Sequence, residues 1–125
     1  MPYQSFEELS LWKKARELKN EIFELAKTFP KEEKFRLTDQ LIRSSRSVQT
    51  QIAEGHGRRT NPDRIRFCII SRGSLSETLN HLIDAFDCNY ITDETLSYYR
   101  NKIDEIERLM NGYINHLEKN IIKKH

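Results

Sequence analysis

Apolar residues recur along this chain at helical spacing in four separate stretches. The first stripe is Leu11, Ala15, Leu18, Ile22, Leu25 and Phe29. Its alternating steps of four and three residues keep one side of a helix facing a partner. Ser10 stands as an N-cap, Ser5-x-x-Glu8 offers an earlier capping box, and Pro30 closes the segment. The pattern predicts a helix over about 10–28. Residues 31–34 (Lys-Glu-Glu-Lys) read as a polar connection. A second helix is expected over about 35–54, with Leu37, Leu41, Val48 and Ile52 on one side. Its centre, Ser44-Ser45-Arg46-Ser47, is small and polar. That permits close approach of a neighbouring helix and weakens intrinsic helix preference.

Gly55-His56-Gly57 marks the end of helix two with residues suited to a left-handed cap. Asn61-Pro62 then opens a third helix over about 62–88, with Asn as N-cap and Pro in the first turn. Its seam is Cys68, Arg72, Leu75, Leu79, Leu82 and Phe86. Asn89 reads as a left-handed stop and Thr92 as the cap of a fourth helix over about 92–119. That helix carries the longest seam: Leu96, Tyr99, Ile103, Ile106, Met110, Tyr113, Leu117 and Ile121. Beyond Lys119 the chain turns basic and is expected to fray. Helices of these lengths span roughly 29–42 Å. Short connections force neighbours antiparallel, which predicts an all-α, up-down-up-down four-helix bundle.

Composition supports that reading. The 125 residues suit one domain, and four glycines with three prolines are too few turn residues for an all-β chain. No apolar run approaches the roughly 20 residues of a membrane span. The first residues lack the pattern of a signal peptide, which predicts a cytoplasmic protein with no membrane partner. Cys68 and Cys88 form no metal-binding pair and are expected to be reduced, buried thiols.

The net charge of +2 hides an uneven distribution. Residues 1–35 balance seven basic against seven acidic side chains. Residues 36–72 carry eight basic and three acidic ones, net +5, and residues 73–125 carry six and nine, net −3. Every basic residue of the middle block is arginine: Arg36, Arg43, Arg46, Arg58, Arg59, Arg64, Arg66 and Arg72. Arginine is the residue of phosphate and carboxylate forks, so the block signals anion recognition or an ion-paired interface. Arg58 and Arg59 fall in the connection between helices two and three. Arg64 and Arg66 fall in the first turns of helix three, where basic side chains oppose the helix dipole. An anion such as phosphate would rationalise them, as would pairing with Glu54, Asp63 or a neighbouring subunit.

Arg72 is anomalous on a seam and must be paired, reach water or line a polar cavity. Glu54 and Glu77 are its candidate partners. Gly73 beside it costs helix stability and suggests close packing of another backbone, in a tight helix contact or an oligomer interface.

Enzymatic motifs are missing. The Glu-x-x-His pairs of di-iron bundles do not occur, and Glu77 with His81 reads as an exposed polar pair. The Gly55-His56-Gly57 segment follows a helix and not a strand, so it is no dinucleotide loop. Trp12 reads as core or subunit packing. Of the adjacent Tyr98 and Tyr99, one is expected inside and one, Tyr98, at the surface or an interface. No catalytic residue, metal or cofactor is expected.

The segment Ile52-Ala53-Glu54-Gly55-His56-Gly57-Arg58-Arg59 resembles the IAEGxGR signature of the bacterial four-helix-bundle proteins encoded in 23S rRNA intervening sequences, often labelled S23 ribosomal proteins. Further resemblance lies in Phe6-Glu7-Glu8-Leu9-Ser10-Leu11-Trp12-Lys13-Lys14-Ala15, in Phe29-Pro30-Lys31-Glu32-Glu33, in Leu37-Thr38-Asp39-Gln40-Leu41, in Arg66-Phe67 and in Ser71-Arg72-Gly73-Ser74-Leu75-Ser76-Glu77. It covers about residues 5–119. Gln49 and Gln51 depart from the family's usual proline and asparagine, which predicts a straighter second helix. The resemblance implies a four-helix bundle assembling into a barrel- or cone-shaped homopentamer. It also implies a likeness to the accessory variability protein of diversity-generating retroelements, which binds nucleic acid and partners a reverse transcriptase. On that basis the expected function is a non-enzymatic, oligomeric binder of RNA or DNA through Arg43, Arg46, Arg58, Arg59, Arg64 and Arg66, with Glu54, Arg72, Gly73 and Glu77 at an oligomer interface or buried polar site. The alternative is a protein-interaction scaffold whose arginines make subunit contacts.

Overall fold

The computed structural model describes residues 5–123, with side chains to Ile121. Four helices account for most of them: α1 (Ser10–Ala26), α2 (Leu37–His56), α3 (Asn61–Asp87) and α4 (Asp93–Lys123), with 3-10 turns at Phe6–Glu8 and Lys31–Glu33. No strand occurs among the described residues. Successive helices pack together and α1 closes against α4, giving a four-helix bundle. Cross-helix contacts fix the antiparallel sense. As α2 ascends from Ser44 to Val48, its partners descend from Thr78 to Ser71. Lys14 and Glu21 of α1 likewise meet Glu105 and Lys102 of α4.

The helix ends show where local chemistry differs from expectation. Ser5 caps the 3-10 turn through Glu7, whose N–H donates to Ser5 Oγ at 3.2 Å. Leu9, not Ser10, is the α1 N-cap. α1 stops at Ala26, two residues early, and α2 begins at Leu37, two residues late, leaving Phe35 in the connection. Gly57 caps α2 with φ −78° and ψ −6°, a right-handed conformation, so the expected left-handed glycine does not occur. Thr60, not Asn61, caps α3, its Oγ1 accepting from Asp63 N at 3.3 Å. Asn61 instead donates from Nδ2 to Leu117 O on α4 at 3.3 Å. Asn89 takes φ 64° as expected, and Thr92 Oγ1 accepts from Thr95 N at 3.1 Å. α4 continues past Lys119 through Lys123 where fraying was expected.

The core follows the stripes of α1 and α4 closely. Leu18, Ile22 and Met110 are fully buried and Ile103 and Ile106 nearly so. α3 departs from its expected seam. Besides Cys68, Leu75 and Leu82 it buries Phe67, Ser71, Thr78 and His81, while Leu79 and Phe86 are only half-buried. The reason is the tight α2–α3 contact that the serine run permits. There, hydroxyls replace methyls. Ser71 Oγ donates to Val48 O at 2.7 Å, Thr78 Oγ1 lies 2.9 Å from Ser44 Oγ, and Ser47 Oγ lies 2.8 Å from Ser74 Oγ. Each buried hydroxyl thus has a partner, as burial requires.

Two expectations about reactive side chains need correction. Cys88 is exposed, because it caps α3 at the bundle end and not in the core. Cys68 is buried, and burial pushes its thiol up to about 11 against a smaller opposing effect of Arg72. The Glu77–His81 pair exists, with Glu77 Oε2 3.2 Å from His81 Nε2, but His81 is buried and only Glu77 is exposed. Trp12 is core, edge-on to Phe6 with centroids 5.2 Å apart. Tyr99 is buried and Tyr98 half-exposed, its hydroxyl donating to Glu21. No described helix is long and apolar enough to cross a membrane.

Candidate nucleic-acid interface

The arginine-rich turn is built on one close approach. A Cβ on Gly55 would lie 2.8 Å from Phe67 Cβ and 3.3 Å from Arg64 O. Only glycine lets the last turn of α2 meet the first turns of α3 this closely. That approach seats Phe67 beneath two guanidinium groups, with Arg58 Cζ 4.5 Å and Arg66 Cζ 4.9 Å from the ring centroid. Stacking of this kind attracts cations to the ring and orients them.

Acids in the turn pair with part of the cluster. Arg58 Nη2 donates to Glu54 Oε1 at 2.6 Å, and Arg66 Nε lies 3.7 Å from Asp63 Oδ1. Arg64 is a structural brace, its Nε donating to Arg58 O at 2.8 Å and its Nη1 to Asn61 Oδ1 at 3.4 Å. Arg59 is exposed, with no partner among the described residues. Four guanidinium groups therefore face two carboxylates, and both ion pairs are solvent-exposed, the kind that opens at little cost. Gly57, Arg58, Arg59, Thr60 and Asp63 line an open depression of about 540 Å³ beside the α3 N-terminus.

The six expected nucleic-acid residues do not form one patch. Arg43 and Arg46 lie on the outer face of α2, with Arg46 about 15 Å along the helix from His56. Arg43 Nη1 is 3.6 Å from Asp39 Oδ2, and Arg46 Cζ lies 5.6 Å from the Phe23 ring of α1.

The expected buried polar set is also redistributed. Arg72 is half-buried, but neither Glu54 nor Glu77 is its partner: Nη1 donates to Asn111 Oδ1 of α4 at 2.9 Å. Glu54 and Glu77 are committed to Arg58 and His81. Gly73 faces open space, with nothing within 4 Å of a Cβ built on it, so no backbone packs there within the chain. Gly112 on α4 is equally open. Sequence reasoning missed Asn111, Phe67 and Thr60. A polar residue flanking the α4 seam was the one available signal for Asn111.

An all-α bundle of four antiparallel helices, its guanidinium groups gathered at the α2–α3 turn and no group of metal ligands among the described residues, defines a class of small helical proteins. Residues 7–112 match the 23S rRNA-intervening sequence protein family, and the chain belongs to it. A solved structure of a protein of unknown function from the S23 ribosomal protein family of Bacteroides thetaiotaomicron is similar, with 28% identity and a TM-score of 0.77. The match covers 83% of this chain and 97% of that one. No curated protein matches the chain.

Proposed function

We propose that this protein is a non-enzymatic, oligomeric nucleic-acid-binding accessory protein that grips the phosphate backbone through its α2–α3 turn. The observation that carries this reading is the excess of guanidinium over carboxylate at one turn, with Arg59 unpaired and Arg58 and Arg66 held over Phe67. In a ring of about five copies the turn would recur around one rim and attract a polyanion strongly. The test is fluorescence anisotropy of labelled structured RNA, duplex DNA and single-stranded DNA across a salt series. Affinity is expected to fall with salt, and Arg59→Ala to lower the logarithmic salt slope by about one. Binding that Arg58→Ala/Arg59→Ala leaves untouched would sink the proposal.

A second reading, a protein-interaction scaffold, is favoured by one separate observation. Gly73 is open and its neighbours Ile69 and Ile70 are 49% and 42% exposed, a face suited to another helix. Gly73→Leu would then dissociate the assembly in sedimentation while the helices stay folded, and nucleic acids would bind no better than to any weakly basic protein.

A further inference from the structure

The connection between α1 and α2 is fastened at several points. Tyr90 Oη donates to Glu33 Oε2 at 2.8 Å, Lys34 N to Lys31 O at 3.1 Å and Arg36 N to Glu33 O at 2.9 Å. The Tyr90 ring also packs on Phe29 with centroids 5.6 Å apart. A turn held this firmly nevertheless presents Phe35 outward, 83% exposed and the most exposed large apolar side chain among the described residues. Packing therefore does not account for it. Its immediate neighbours are Lys34, whose Nζ sits 5.3 Å from the ring centroid, and Arg36. Glu32 and Glu33 also lie in this turn, but Glu33 is engaged by Tyr90. Phe23, in the last turn of α1, is a second partly exposed ring, with Lys27 Nζ at 4.8 Å and Arg46 Cζ at 5.6 Å from its centroid.

Exposed rings interleaved with cations are the arrangement that binds unpaired strands, because each base offers a π-face and each phosphate a negative charge. Duplexes hide their base faces and offer such a ring nothing to stack on. We propose that Phe35 is a stacking platform for an unpaired base of single-stranded nucleic acid, with Lys34 and Arg36 holding the adjacent phosphates. The proposal rests on the nucleic-acid reading above and adds the strandedness of the ligand and a second contact at the opposite end of the bundle from Arg59.

The test uses the full chain with Phe35→Ala and Phe35→Trp. Phe35→Ala is expected to weaken oligo(U) and oligo(dT) binding about 5- to 100-fold, the range of one base–aromatic stack, and to leave duplex binding unchanged. Phe35→Trp is expected to restore single-strand affinity, and its emission, measured against the constant background of buried Trp12, should be quenched by oligo(U). Thermal unfolding of both variants should match the parent. Equal losses for single strands and duplexes, or no loss, would overturn this inference, while the Arg58→Ala/Arg59→Ala result independently decides the backbone reading. A blue-shifted, enhanced emission with phosphatidylserine vesicles and none with oligo(U) would overturn it in favour of a membrane surface. A changed oligomer mass for Phe35→Ala would make the ring a subunit contact instead. Failure of every nucleic acid to bind would remove both readings.

Discussion

Arg72 on α3 reaches across the bundle to Asn111 on α4, donating through Nη1 to Oδ1 at 2.9 Å. A half-buried guanidinium on a helix seam is tolerated because a neutral acceptor on the next helix satisfies part of it. Hydrogen bonds to charged groups contribute about 1.5–3 kcal/mol. Asn111→Ala is therefore expected to destabilise the protein by about 1–3 kcal/mol, read as a lowered urea midpoint. An unchanged midpoint would show that water serves Arg72 equally well.

The helix glycines should separate sharply on substitution. Gly55→Ala forces a Cβ against Phe67 and the Arg64 carbonyl and should cost about 1–3 kcal/mol. Gly73→Ala and Gly112→Ala meet nothing within 4 Å and should each stabilise the isolated chain by about 0.5–1 kcal/mol. Calorimetry of the three variants checks this. A loss at Gly73 would reveal a neighbouring copy at that position.

The two thiols should differ in reactivity by location. Exposed Cys88 should react with an aromatic disulfide reagent at pH 8 within the mixing time of a manual assay. Cys68, buried and pushed up to about 11, should react only on unfolding, because the thiolate is the nucleophile. Two fast thiols per native chain would contradict the packing.

Acid stability should depend on Glu21. Burial pushes its carboxyl up, but hydrogen bonds from Lys102 and Tyr98 outweigh that and hold it below its ordinary 4.5. A depressed carboxylate stabilises the fold above its unfolded value, and that contribution is lost as pH falls through the folded one. Lys102 is raised above 10.5, chiefly by its hydrogen bond to Glu21. Its contribution is present below that value and lost as pH rises through the folded one. Glu21→Gln should flatten both limbs of a stability profile measured by urea unfolding. An acid limb as steep as the parent's would place the responsible carboxylate elsewhere.

The helices were readable from sequence where burial is apolar. On α1 and α4 the stripe ending in Leu18 and Ile22 and the seam through Ile103, Ile106 and Met110 are the buried faces. α3 was misread because its inner face toward α2 is Ser71, Thr78 and His81, residues whose burial depends on partners that periodicity does not display. The arginines of the turn were found because they are adjacent in sequence. Their pairing was only partly visible: Glu54 and Asp63 lie within a helical turn of Arg58 and Arg66, whereas the platform of Phe67 depends on the α2–α3 crossing that Gly55 permits. Arg72 was recognised as odd, but its acceptor is 39 residues away on another helix.

The hydroxyl contacts between α2 and α3 work like the teeth of a ratchet. Aliphatic side chains slide past one another with gradual loss, and several neighbouring registers compete. Ser44 with Thr78, Ser47 with Ser74 and Ser71 with the Val48 carbonyl mesh in a single register. A slip of one turn would leave several buried hydroxyls facing hydrocarbon at once. Arg58 and Arg66 thus keep their spacing over Phe67 even when a ligand pulls on the turn.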